Sequence, residues 1–318
     1  MHSVVASAFP RAGLLGNPSD LYGGRGIGFT FEDFHAAVEC RPSHIPGMGD
    51  MVRIEAGGGL YSPMQQAPEP VILQAARAVL PELGVDADAQ GRFALSLNCD
   101  IPQQLGLSGS SAIIIAALRA VCAFLKVEAS ADQLATLALR AETEFMGIAA
   151  GPMDRVVQAH EGLVAMDFES GEVERLDPTL MPPVAILMDR NPGQDSGSVH
   201  APVRERWEAG DPEVRAVMAE FRPLVERGLT CLRAGDIRGL RQCVDRNFDL
   251  RAMVFPIGAR DQAVIERVRA CGAAAKFCGS GGAILAVHED PALLEEVCLQ
   301  VVGDGFEGIR PRITEVVA

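Results

Sequence analysis

The sequence predicts an α+β protein of two domains. Three observations lead there. At 318 residues the chain is longer than one small core accommodates. Strand-like segments crowd its first part and helices dominate its second half, with no regular βαβ alternation. Its end, from AAAKFCGSGGAILAV to RPRITEVV, runs strand, glycine loop, strand, helix, strand. We place the domains at 1–180 and 181–318, with the change falling around 170–182 ahead of the apolar strand PPVAILMDR.

The elements follow in order. SVVASAF, GIGFTF, HAAVEC and MVRIEAG read as strands, separated by Gly, Pro and Asn/Asp clusters. PVILQAARAVLPEL reads as a helix with a proline suited to its first turn. RFALSLNCDIP is a strand running into LGLSGSSAIIIAALRA. Helices are expected over 109–125 and 131–145, the second opened by a Ser130/Gln133 capping box. Another opens near GPMDRVVQAH, and GLVAMDF returns to strand. In the second half helices are expected over 212–234, 236–252 and 260–271. The final strands and glycine loop run from AAAKFCGSGGAILAV to RPRITEVV.

Composition narrows the function. The net charge of −14 argues against nucleic-acid binding, which needs a basic footprint. No run of about 18 apolar residues suggests a membrane span, and MHSVVASAFPRAG lacks the pattern of an export signal, so a cytoplasmic protein is expected. The eight cysteines form no CxxC pair and sit mostly in apolar segments, where a thiol behaves as a small hydrophobe. An anionic ligand would need a local island of arginine and backbone N–H groups.

Three stretches carry such chemistry. In LGLSGSSA, a helix starting near Gly109 presents N–H groups and the positive end of its dipole, glycines allow close approach, and Ser108, Ser110 and Ser111 add donors. A capped helix after a tight turn would also explain those residues. The stretch is no Walker loop, because no G-K-[ST] follows. PRAGLLGNPSDLYGG follows the first strand and offers Arg11 and Asp20. AETEFMGIAAGPMD places Glu142, Glu144 and Asp154 around another glycine-rich helix entry. Arginine, carboxylates, serines and glycine loops are together what magnesium-dependent phosphoryl transfer requires.

With KFCGSGGA, these stretches resemble the GHMP kinase superfamily of galactokinase, homoserine, mevalonate and phosphomevalonate kinases, and the resemblance spans nearly the whole chain. PRAGLLGNPSDLYGG is similar to the first motif, P-G-[RK]-x-N-x-I-G-E-H-x-D-Y-x-G-G. IPQQLGLSGSSA is similar to the second, P-x-x-x-G-L-G-S-S-A, with one residue added. KFCGSGGA is similar to the third. AETEFMGIAAGPMD follows the galactokinase-type A-E-x-x-F-x-G-x-x-x-G-x-M-D. GLSGSSAI, GPMDRVVQAHEGLVAMDF and NPGQDSGSVHAPVRERW look like the glucuronokinase branch, which phosphorylates the anomeric hydroxyl of D-glucuronate. Asn17-Pro18-Ser19-Asp20 departs from the Glu-His-Thr-Asp of galactokinases and weighs against galactose.

The resemblance implies the two-domain GHMP kinase fold: an N-terminal mixed α/β nucleotide-binding domain and a C-terminal α+β domain with a glycine loop. It implies ATP and Mg²⁺ as cofactors. Asp154 becomes the catalytic base and Arg11 the cation beside the transferred phosphoryl group. Gly106, Leu107, Ser108, Gly109, Ser110, Ser111 and Ala112 line the nucleotide. Ser111 and Glu142 hold the metal, with Glu144 competing. Asp20, Asp154 and Gly281 face the sugar. His200 and Arg204, four apart on one helix face, suit a uronate carboxylate, although a solvated face beside Glu205 and Glu208 explains them equally. Trp207 reads as core or interface. The expected reaction is phosphorylation of a sugar at C1, D-glucuronate first. Galactose, arabinose, a heptose phosphate or a mevalonate-type alcohol are the alternative acceptors, and a non-catalytic sugar/ATP sensor is the alternative of another class. A homodimer is compatible with all of these.

Overall fold

The computed structural model describes residues 2–42, 54–55, 70–148, 150–191 and 196–315. Its first half runs β1 (Val4–Ala8), β2 (Arg11–Leu15), β3 (Arg25–Thr30), β4 (Ala36–Pro42), β5 (Ile54–Glu55), α1 (Val71–Ala78), α2 (Ala87–Gln90), β6 (Phe93–Cys99), α3 (Gly109–Leu125), α4 (Ala131–Arg140) and α5 (Met153–His160). Then follow β7 (Leu163–Asp167), β8 (Val173–Leu176), β9 (Val184–Asp189), α6 (Ser196–Glu208), α7 (Pro212–Ala234), α8 (Ile237–Val254), α9 (Ala259–Ala270), β10 (Ala274–Phe277), β11 (Ala283–Val287), α10 (Pro291–Gln300) and β12 (Phe306–Ile309). Contacts divide the chain into two units interleaved along it. One comprises Met1–Pro10, Phe34–Pro102 and Ser108–His160; the other comprises Arg11–Asp33, Gln103–Leu107 and Glu161–Ala318.

The first unit holds a sheet of order β1-β4-β6-β5, antiparallel except for β5 on β6. Along β4 the buried Ala36, Val38 and Cys40 alternate with less buried neighbours, the period-two signature of a strand. Helix α3 packs on β1 and β4. Apolar residues occur all round it, so it is buried on most sides, with Ile114, Ile115, Leu118 and Val121 sealed. Arg119 is the exception. Its guanidinium ties the carbonyls of Ser7 and Ala159, each at 2.9 Å, to the middle of α3.

The second unit holds two antiparallel sheets, β2-β3-β7-β8 and β10-β11-β9-β12. Helix α7 lies against β2 and β3. It comes so close that a Cβ at Gly228 would stand 2.0 Å from a Leu15 methyl. Helix α8 packs on β2 and β10.

Helices α3 and α7 span the residues read from sequence. Four details differ. Arg11–Leu15 forms a strand of its own where a polar strand end was expected, because its five residues are all buried and all but Leu14, at a register shift, pair with β3. Val173–Leu176 adds an edge strand on β7. The helix expected over 131–145 is α-helical to Arg140 and continues as a π turn over Ala141–Phe145. The last strand lies at Phe306–Ile309, and among the described residues of RPRITEVV Ile313 forms an isolated bridge with Phe31, just past the end of β3. Of MVRIEAG, Ile54–Glu55 is strand and the rest lies outside the described residues.

The capping box of α4 forms as read. Ser130 Oγ accepts from the Gln133 backbone N–H at 3.1 Å, and the Gln133 side chain accepts from the Ser130 N–H at 2.8 Å. Replacing Ser130 with Ala removes the first bond. Urea unfolding should register a loss of about 1 kcal/mol.

Candidate active site

The head of α3 is built to leave backbone donors open. Ser108 occupies its N-cap position in the left-handed region (φ 61°, ψ 46°), and no side chain caps the helix. The Ser108 hydroxyl donates instead to Asp154 Oδ2 at 2.6 Å. Gln158, fully buried on α5, fixes the turn by donating from Nε2 to the carbonyls of Ser108 (3.0 Å) and Phe9 (2.8 Å). The next serines behave alike. Ser110 Oγ donates to Glu142 Oε1 at 2.6 Å, and Ser111 Oγ reaches both Glu142 oxygens at 3.1–3.2 Å. The simple capped helix is therefore set aside. With the serines turned to carboxylates, the first-turn N–H groups and the dipole suit an anion. Ala112 is sealed beneath them.

Glu142 owes its position to the π turn, a local rewinding often found at functional sites. It is 0% exposed and receives the Arg155 Nε and Nη2 on Oε2. Arg155 Nη1 donates to the Gly151 carbonyl at 2.7 Å and lies 3.7 Å from Asp154 Oδ2. Glu144 points elsewhere. It is exposed and held by Arg140 at 2.8 and 3.0 Å, which keeps its carboxyl below the usual range. Of the two glutamates, only Glu142 joins the serines.

The donor set fits magnesium shared with a polyphosphate. One carboxylate and serine hydroxyls are hard oxygen ligands at an anion-binding helix end. Among the described residues no group of three His, Cys, Asp or Glu could hold a metal unaided. Phosphate oxygens would complete the sphere.

In the second unit the first motif and the glycine loop grip each other through buried cations. Arg11 Nη1 donates to the carbonyls of Gly106 (2.7 Å) and Cys278 (3.0 Å), and the Arg11 N–H donates to the Leu107 carbonyl at 3.2 Å. Gly106 and Gly279 meet so closely that a Cβ on Gly279 would lie 2.2 Å from the Gly106 oxygen. Arg251 Nη1 and Nη2 donate to the Gly279 and Ser280 carbonyls at 3.0 and 2.6 Å, and its guanidinium lies over Phe255 and Phe277. Gly281 and Gly282 carry positive φ (148° and 78°). Lys276, 1% exposed, donates to the Gly13 carbonyl, Asn17 Oδ1 and the Phe277 carbonyl at 2.6–2.7 Å.

Of the expected acceptor residues, Asp20 and Arg204 lie near Tyr22, whose hydroxyl feels the charge of both. Asp20 sits in the 3₁₀ turn Ser19–Tyr22. Tyr22 packs on Trp207 of α6 with ring centroids 4.8 Å apart, and both lean on the apolar cluster of Val203, Val214 and Phe221. Trp207 is thus partly core. Burial, helped by Asp20 and opposed by Arg204, pushes the Tyr22 hydroxyl up to about 12. That hydroxyl is buried without a hydrogen-bond partner among the described residues. His200 packs edge-on against Phe255 at 5.5 Å, while Arg204 is exposed and paired with Glu208 at 2.9 Å. Sequence reasoning missed Tyr22, Arg155, Gln158, Arg251 and Lys276. One signal existed for Lys276, one of only two lysines in the chain, standing directly before the glycine loop.

The chain as a whole has known relatives. The model of the GHMP kinases N terminal domain matches residues 70–162, and that of the GHMP kinases C terminal domain matches 229–307. The chain belongs to the GHMP kinase family. Two similar proteins come from Arabidopsis thaliana. Probable glucuronokinase 2 is 38% identical, the match covering 92% of this chain and 87% of that protein. Glucuronokinase 1 is 37% identical, covering 92% and 88%. The fold is shared with Lactococcus lactis galactokinase complexed with galactose (TM-score 0.78, 15% identity, covering 97% of this chain and 93% of that one). It is also shared with Streptococcus pneumoniae phosphomevalonate kinase (TM-score 0.77, 14% identity, covering 99% and 100%). As a GHMP kinase the chain is a phosphotransferase that uses ATP. Among its described residues no helix is long and apolar enough to cross a membrane.

Lys276 makes this kinase's stability depend on pH. Burial, reinforced by Arg251 and Arg11, pushes its ammonium down to about 7, whereas an unfolded lysine titrates near about 10.4. Below about pH 7 both states hold the proton and the contribution is flat. Above it the unfolded chain binds more protons, so stability rises with pH. The clean window ends near about pH 8.5, where unfolded thiols ionise and buried ones such as Cys278, pushed up to about 12, reverse the slope. Unfolding free energies measured across that window should rise in the wild type and stay level in Lys276→Met.

Proposed function

We propose that this GHMP kinase is an ATP- and magnesium-dependent sugar 1-kinase whose acceptor is D-glucuronate, giving D-glucuronate 1-phosphate. The observation that carries the chemistry is the pairing of Ser108 with Asp154 and of Ser110 and Ser111 with Glu142 at the head of α3. Likeness to the two glucuronokinases over most of the chain supports the acceptor.

The roles follow from the side chains. Backbone N–H groups from Gly106 to Ala112 hold the phosphates of ATP. Glu142 and Ser111 hold magnesium, which when bound neutralises phosphate charge and orients the γ-phosphoryl group. Asp154, a quarter exposed and oriented by Ser108, accepts the proton of the C1 hydroxyl as its oxygen bonds to the γ-phosphorus and ADP leaves. Arg11 supplies positive charge against the transition state. Asp20 and the loop at Gly281 contact sugar hydroxyls. Arg204 can exchange its exposed Glu208 partner, a weak pair, for the uronate carboxylate, with His200 four residues before it on α6.

Asp154→Asn should bind nucleotide with near wild-type affinity and lose at least about three orders of magnitude in kcat, read by coupled ADP release with ATP and Mg²⁺. Wild-type turnover in that variant would remove Asp154 from the base role. Arg204→Gln should raise KM for D-glucuronate about tenfold at low salt and less at high salt, because screening weakens the contact it loses. An acceptor panel of D-glucuronate, D-galacturonate, D-galactose, L-arabinose and mevalonate tests the substrate. Preference for any other member overturns glucuronate, and silence on all of them with magnesium–ATP still bound also overturns it, in favour of a phosphorylated acceptor or the sensor reading.

A further inference from the structure

Glu142 is an unusual metal ligand because its carboxylate already has a full set of partners. It is enclosed, Oε1 accepts from Ser110 and Ser111, and Oε2 accepts from Ser111 and from two nitrogens of Arg155. Arg155 is itself buried, with 5% of its side chain exposed. Its remaining contacts are the Gly151 carbonyl at 2.7 Å and Asp154 Oδ2 at 3.7 Å. Two carboxylates, the ligand and the base of the proposed reaction, thus share one guanidinium.

A buried ion pair of this kind loses stability when one partner is removed, because the other charge stays enclosed. A cation seated on a carboxylate also opposes a second cation there. Both considerations apply to Glu142, and Asp154 stands beside Arg155 as an alternative anion.

We infer that Arg155 is a positioning residue that occupies Glu142 as an internal counter-cation until metal arrives and then turns to Asp154. Metal loading and orientation of the base are thereby linked through one side chain. The inference rests on the reading of Glu142 as metal ligand, and the experiment separates the two.

The measurement is Mn²⁺ binding to the full chain, followed by the electron paramagnetic resonance of free Mn²⁺ in the presence of a non-hydrolysable ATP analogue. No turnover is involved. Arg155→Gln should bind Mn²⁺ about tenfold more tightly than wild type. Its melting temperature without metal should fall, and added Mg²⁺ should raise it by more than it raises the wild type. Arg155→Lys, which keeps the charge and loses the two-point fork, should bind about threefold more tightly, and it serves if the glutamine variant does not fold. Unchanged or weaker Mn²⁺ binding in a folded Arg155 variant overturns the inference. So does weaker analogue binding without metal, which would make Arg155 a phosphate contact. Glu142→Gln should lose Mn²⁺ affinity. If it binds as wild type does, the ligand assignment fails, and the role of Arg155 falls with it.

Discussion

The head of α3 is governed by where three serine hydroxyls point. A serine at a helix start ordinarily satisfies the backbone N–H groups two or three residues on. Here Ser108 turns to Asp154, and Ser110 and Ser111 turn to Glu142. The left-handed conformation of Ser108, pinned by Gln158, makes this geometry possible. A helix deprived of its own cap keeps its dipole for something else. The apolar body of α3, sealed against β1 and β4, gives that exposed end a rigid base.

In the second unit the balance is struck differently. Arg11, Arg251 and Lys276 are buried, and the hydrogen bonds described for them go to backbone carbonyls and one amide oxygen, not to carboxylates. Carbonyl oxygens meet the hydrogen-bonding needs of a buried guanidinium or ammonium. The glycine loop is thereby fixed through its own backbone oxygens. Its close contact with Gly106 leaves no room for a side chain at Gly279.

Much of this was legible in the residues. Helix α3 is continuous apolar sequence after a glycine-serine entry, and α7 opens on Asp211 and Pro212 and closes on Gly235, so both could be read to the residue. Asp154, Glu142 and the serines were found through their spacing and the family resemblance. What escaped depends on long-range partners. Leu14 and Leu15 became a strand because β3 lies beside them. Val173–Leu176 is a mostly exposed edge whose composition has no strand period. Arg155, Lys276 and Arg251 look like surface charges until the carboxylate or carbonyls they meet are brought to them, in the case of Lys276 from Gly13 at the other end of the chain.

The scarcity of lysine has a practical side. Of the chain's two lysines, Lys276 is enclosed and Lys126 is exposed at the C-cap of α3. An amine-directed dye or surface linker thus finds one open ε-amino group among the described residues. It lies a 17-residue helix away from Gly109, or about 25 Å at 1.5 Å per residue. Among the described lysines, tethering or labelling therefore falls at the C-terminal end of α3, far from Gly109.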